Sequence, residues 1–109
     1  MLLLHLLTVN YYLVFSEVYV LKAVNDLCSN TGIIDSLAEC KAATRYLKTL
    51  GRRRKGLDKS GRITFRTESA ASYPKGCYTM GRNTANVFWN THISGNAKHT
   101  ARPICKEGE

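Results

Sequence analysis

The pattern of apolar and polar positions changes period several times along the chain, and each change marks an element. Val18–Val24 (VYVLKAV) is dense in β-branched and aromatic residues and predicts a strand. Asn25–Asp35 contains Asn25, Asp26, Ser29, Asn30, Thr31 and Gly32, the composition of a loop. Ser36-Leu37-Ala38-Glu39 has the spacing of a capping box, with Ser36 placed to cap a free amide and Glu39 to reach back. A helix is expected from there to Leu50, with Gly51 as its C′ residue. Leu37, Cys40, Ala43, Leu47 and Leu50 recur at helical spacing and predict one buried stripe. Lys41, Arg45, Lys48 and Arg52 form a second stripe, expected to face away from the core.

Beyond the helix, Gly51–Gly61 reads as a basic, glycine-containing loop. Arg62–Thr67 alternates, with Ile63 and Phe65 on one side, and predicts a strand. Tyr73-Pro74-Lys75-Gly76 is a turn signal, because proline presets φ at the second position. Cys77–Met80 and Asn86–Asn90 predict two strands about a Gly81–Ala85 turn. In the second of these, Val87 and Trp89 share one face and Phe88 takes the other. Thr91–Thr100 reads as a polar loop, and Ala101–Lys106 as a last strand. The sum is an α+β module: one amphipathic helix packed on a small antiparallel sheet. The chain of 109 residues has room for one domain, which excludes two-domain enzymes and large barrels.

Met1–Ser16 is apolar and carries no Lys, Arg, Asp or Glu. That length suits a secretory leader better than a spanning helix, which needs about 20 apolar residues. Cleavage after Ser16 is the preferred reading and leaves a module over Glu17–Glu109. An uncleaved anchor running on to Val24 is the alternative, with Glu17 and Lys22 then at membrane depth. A core element of the domain ranks third.

Cys28, Cys40, Cys77 and Cys105 contain no C-x-x-C, which speaks against zinc knuckles and thioredoxin-type redox motifs. An even count after a leader points to two disulfides in an oxidising compartment. Of three pairings, Cys28–Cys105 and Cys40–Cys77 are preferred. The first ties the start of the module to its end, and the second staples helix to strand.

Charge changes the picture further. The net charge is +8, and Lys41–Arg66 alone holds ten basic residues against one acid, Asp58. The remainder, six basic and seven acidic residues, is nearly neutral. Lys41, Arg45, Lys48, Arg52, Arg53, Arg54 and Lys55 are therefore the candidate anion- or glycan-binding residues. A run of charges is more often a solvated surface than a site, but continuity of the helix stripe with the RRRK run raises its weight. Tyr78 and Trp89 are the candidates for stacking on a sugar, against the commoner reading of aromatics as core.

His92 and His99 lie in one polar stretch without a nearby acid, and no HExxH, G-x-S-x-G or P-loop occurs. Neither a catalytic site nor a metal or cofactor site is expected.

Cys28, Cys40 with Ala42-Ala43, Tyr73-Pro74-Lys75-Gly76-Cys77-Tyr78, Val87-Phe88-Trp89-Asn90 and Pro103-Ile104-Cys105-Lys106 together form a pattern. Over Cys28–Lys106 it resembles a family of small secreted cysteine modules that recur in marine invertebrates and algae. The arrangement is also similar to PAN/apple-type domains, extracellular binders of proteins and sugars, although this chain lacks the third disulfide usual there. Neither likeness implies a catalytic residue.

The expectation is a secreted, monomeric, non-catalytic binding or adhesion module whose basic face takes acidic glycans or anionic surfaces. A protein partner is left open, and nucleic acid is the least favoured partner. A cationic host-defence or toxin-like polypeptide acting on membranes and a protease inhibitor with the Arg/Lys loop as bait are the alternatives.

Overall fold

The computed structural model describes residues 18–59 and 61–107, so the expected leader, Met1–Ser16, lies outside the described residues. Its elements are β1 (Val18–Leu21), a 3-10 turn (Asn30–Gly32), α1 (Leu37–Leu50), a second 3-10 turn (Arg52–Arg54), β2 (Thr64–Glu68), β3 (Pro74–Met80), β4 (Asn86–Gly95) and β5 (Ala101–Glu107). The five strands form one sheet in the order β1-β5-β3-β4-β2.

The helix begins and ends where its capping residues dictate. Ser36 Oγ accepts a hydrogen bond from the Glu39 amide at 3.1 Å. Gly51 closes the C-terminus at φ +72°, a backbone region that favours glycine, and its amide bonds the Leu47 carbonyl. Only half of the capping box forms as expected. The Glu39 carboxylate turns to the sheet and accepts from the Tyr19 hydroxyl at 3.1 Å, which pins the first helical turn to β1.

Cys40, Ala43 and Leu47 are buried as the stripe requires, joined by Thr44, whose hydroxyl is satisfied by the Cys40 carbonyl at 2.8 Å. They meet Tyr19, Leu21, Cys77, Val87 and Ile104 from the sheet and Leu57 from the loop after the helix. Full burial of one such aliphatic side chain is worth about 1.5–3 kcal/mol, so this layer is the main source of stability. Both expected disulfides are present: Cys40–Cys77 joins α1 to β3, and Cys28–Cys105 joins the segment after β1 to β5. They act on opposite faces of the sheet. Ile104 faces the helix, so its neighbour Cys105 points to the back.

The sheet is mixed rather than wholly antiparallel. β2 runs parallel to β4, with Phe65 opposite Val87, while the other pairings are antiparallel. Two further expectations are corrected at β3 and β4. Tyr73–Gly76 is not a turn but the entry to β3, where Pro74 pairs with Gly95 and the register shifts between Pro74 and Gly76. Proline is tolerated there because the first residue of a strand need not donate to the ladder. Accordingly β4 does not stop at Asn90 but continues to Gly95. Its polar second half is half-exposed strand, which composition does not separate from loop.

Residues 96–100 then cross the back of the sheet. The Asn96 amide bonds the Tyr73 carbonyl beside the start of β3, and the Gly81 amide bonds the Thr100 carbonyl just past its end.

Candidate anion-binding site

The strand directions bring the helix C-terminus, the 3-10 turn at Arg52–Arg54, the β3–β4 turn and the start of β5 to one end of the sheet. The 3-10 turn is tight. The Arg54 and Gly56 amides bond the Gly51 carbonyl, the Lys55 amide bonds the Arg52 carbonyl, and Leu57 is pulled under the helix by a bond to the Leu47 carbonyl. Gly56 is required there, since a Cβ would lie 2.1 Å from the Leu47 carbonyl oxygen. Arg52, Arg53, Arg54 and Lys55 are consequently held on the surface, all exposed. Cations at a helix C-terminus are favoured by its partial negative charge, by about 0.3–1 kcal/mol each.

Two adjoining clefts lie between this turn and the β3–β4 turn. One, of about 190 Å³, is lined by Arg52, Asp58, Ile63 and residues 81–85 of the β3–β4 turn, Arg82 among them. The other, of about 280 Å³, is lined by Arg52, Lys55, Asp58, Thr84 and Arg102. Around them stand four cations and one acid. Arg102 is half-buried and fixed in place, its Nε donating to the Lys22 carbonyl at 2.8 Å. Guanidinium groups gathered beside an ammonium and the Thr84 side chain are the chemistry that holds sulfate, phosphate or carboxylate groups.

The sequence-predicted cations are thus divided among different tasks. Arg52 and Lys55 line the clefts. Lys48 donates to the Gly61 carbonyl at 2.8 Å and closes the loop. Lys41 lies over the Phe65 ring, 5.6 Å from its centroid, and covers β2. Arg45 is exposed on the outer face of α1, away from the clefts. Arg66, opposite Phe88, projects from the back of the sheet. The ten-cation stretch therefore does not form one face. Arg82 and Arg102, isolated cations in the sequence, complete the site instead. The sole sequence signal for Arg82 was its place in a tight turn, and nothing marked Arg102.

The expected sugar-stacking role of Tyr78 is ruled out by burial. It is 1 % exposed, with Tyr73 stacked on one side at 5.4 Å and Phe88 on the other at 5.0 Å. Its hydroxyl donates to the Glu68 carboxylate. Trp89 is half-buried and packs against the core on the helix side.

His92 Nδ1 accepts from the Ser94 and Gly95 amides at 3.2 and 3.0 Å and serves the strand end. Among the described residues, no group of three or more His, Cys, Asp or Glu side chains is placed to hold a metal ion, and no helix is long and apolar enough to cross a membrane. Compared with protein-family models, curated proteins and solved structures, the chain matches none of them.

Proposed function

We propose that the chain is a secreted, non-catalytic binding module that engages acidic glycans or other anionic surfaces through the pole at Arg52, Lys55, Arg82 and Arg102. The observation that carries this reading is the gathering of these cations, from three separate segments, around two clefts that hold the single acid Asp58. Two disulfides in so small a domain are in keeping with an oxidising compartment. The bait-loop alternative is less favoured. A protease cleft takes an extended segment, whereas the RRRK run is wound into a 3-10 turn and tied at both ends.

The test is retention of the oxidised protein on immobilised heparin as salt rises. Exposed charge pairs are screened as the Debye length shrinks from about 10 Å at 0.1 M to about 3 Å at 1 M. Retention at low salt that is lost at high salt is expected. Failure to bind at low salt would overturn the proposal.

A further inference from the structure

A third and larger cleft, of about 670 Å³, adjoins the anion site across the β3–β4 turn. It shares Gly81, Arg82 and Asn83 with the first cleft, so Arg82 stands on the boundary between them. The apolar part of its wall is aliphatic, formed by Val24 and Met80. His99 also lines it but no Phe, Tyr or Trp does, and Tyr78, the nearest phenol in β3, is spent inside the Tyr73–Phe88 stack.

The loop that supplies Val24 is held firmly. The Asn25 amide bonds the Lys98 and Ala101 carbonyls, and Asn25 itself takes φ +65° at the bend. Val24 rests on Gly81, where an added Cβ would come within 2.7 Å of the valine methyl. Two of the large hydrophobic side chains left exposed by the fold, Val24 at 45 % and Leu27 at 48 %, sit on this one loop. Its acid, Asp26, is paired with Lys22 at 3.9 Å, which leaves Arg82 and the anion clefts to set the sign of the surroundings. Exposed aliphatic side chains bordered by cations match the layering of an anionic lipid leaflet, with acyl chains below and phosphates above.

We infer that this end of the domain docks on an anionic lipid surface: Val24 and Leu27 enter the acyl boundary, and Arg82 with the adjoining clefts meets the headgroup phosphates. The inference rests on the proposed anion-binding pole and narrows its partner to lipid. A sulfated glycan would use the same cations but has no use for the aliphatic wall.

The test is co-sedimentation of the full, oxidised chain with vesicles of phosphatidylcholine alone or mixed with phosphatidylserine, alongside heparin retention. Sedimentation with the anionic vesicles only is expected. The double variant Val24→Ser/Leu27→Ser should partition about tenfold more weakly while heparin retention is unchanged, since only apolar contact is removed. Arg82→Ala should weaken vesicle binding about fivefold, the effect of one cation near an anionic leaflet. In Leu27→Trp, the added indole should shift its emission to the blue on anionic vesicles, which reports entry even if the serine variants fold poorly. An unshifted indole, or serine variants that bind as well as the wild type, would overturn the docking. Heparin retention without vesicle binding would overturn it while leaving the basic pole standing; loss of both would remove both readings.

Discussion

The Tyr78 hydroxyl reaches past β4 to the Glu68 carboxylate, joining the central strand β3 to the edge strand β2. The bond explains how a short edge strand, held to the sheet only through β4, is fixed in register. It also buries a phenol beside an anion.

That environment has a measurable consequence. Burial first, and the Glu68 carboxylate next, hold the Tyr78 phenol well above its ordinary value of 10.0. Above that pH the unfolded chain loses a proton that the folded chain keeps. The stabilisation is therefore complete below the ordinary phenol value and declines as pH rises beyond it. A spectrophotometric titration should show one tyrosine that stays protonated until alkaline unfolding. Tyr78→Phe should cost about 1 kcal/mol at neutral pH and make the alkaline loss shallower. A full complement of phenolate signal in the still-folded protein would contradict this.

Asn90 is the second buried polar anchor, 1 % exposed in β4. Its Nδ2 donates toward the Ala70, Tyr73 and Pro74 carbonyls at 2.9–3.1 Å, and its Oδ1 accepts from the Ala70 and His92 amides. Asn90→Ala should destabilise by about 2–4 kcal/mol, because several buried backbone groups lose their partner together. Asn90→Asp keeps the shape but aims a carboxylate at three carbonyls, and should be as harmful at neutral pH. Urea unfolding of the two variants checks both expectations.

These residues show what the sequence could and could not disclose. Ser36, Gly51 and the apolar stripe are local signals, and they mark the helix correctly. Helical spacing turns Cys40 toward the core and favours a partner in the sheet; which strand cysteine it takes, Cys77, is fixed by the order of the strands. The entry to β3 reads as a turn in the sequence because Pro74 and Gly76 have turn chemistry. What converts the stretch to strand is the Asn90 amide, sixteen residues away from Pro74. The parallel placement of β2 was not legible either. Alternation assigns faces to Ile63 and Phe65 but says nothing about which strand lies alongside. For the site, a run of charge identified Arg52 and Lys55, whereas Arg82 and Arg102 depend on how the sheet closes.

The two disulfides should differ in their effect on stability. Each closes a long loop, 37 residues for Cys40–Cys77 and 77 for Cys28–Cys105, so the chain-entropy account gives about 4 kcal/mol for either. Cys40 and Cys77 are both buried in the helix–sheet layer, however, while Cys28 is only half-buried. Cys40→Ala/Cys77→Ala should therefore be the more destabilised pair by about 1–2 kcal/mol despite its shorter loop, since it also opens a cavity in the core. Urea denaturation of the two double variants should rank them in that order. The reverse order would mean that the chain segment over the back of the sheet matters more than the core beneath α1.

A comparison at constant net charge separates a built anion site from bulk cationic character. Arg53 and Arg54 belong to the densest charge run, yet neither lines the two clefts that hold Arg82 and Arg102. Arg52 lines both of those clefts and Arg82 one of them. Arg53→Ala/Arg54→Ala and Arg52→Ala/Arg82→Ala each remove two positive charges from exposed positions. Either should leave the fold intact, because exposed substitutions clear of caps and core usually shift stability by about 0.5 kcal/mol or less each. The Arg52/Arg82 pair should lose heparin affinity about tenfold or more and show a flatter salt dependence, as fewer ions are exchanged on binding. The Arg53/Arg54 pair should lose only a few-fold, through weakened long-range attraction. Equal losses in the two variants would mean that polyanions respond to the charge of the pole as a whole, and that the clefts around Asp58 do not select where they bind.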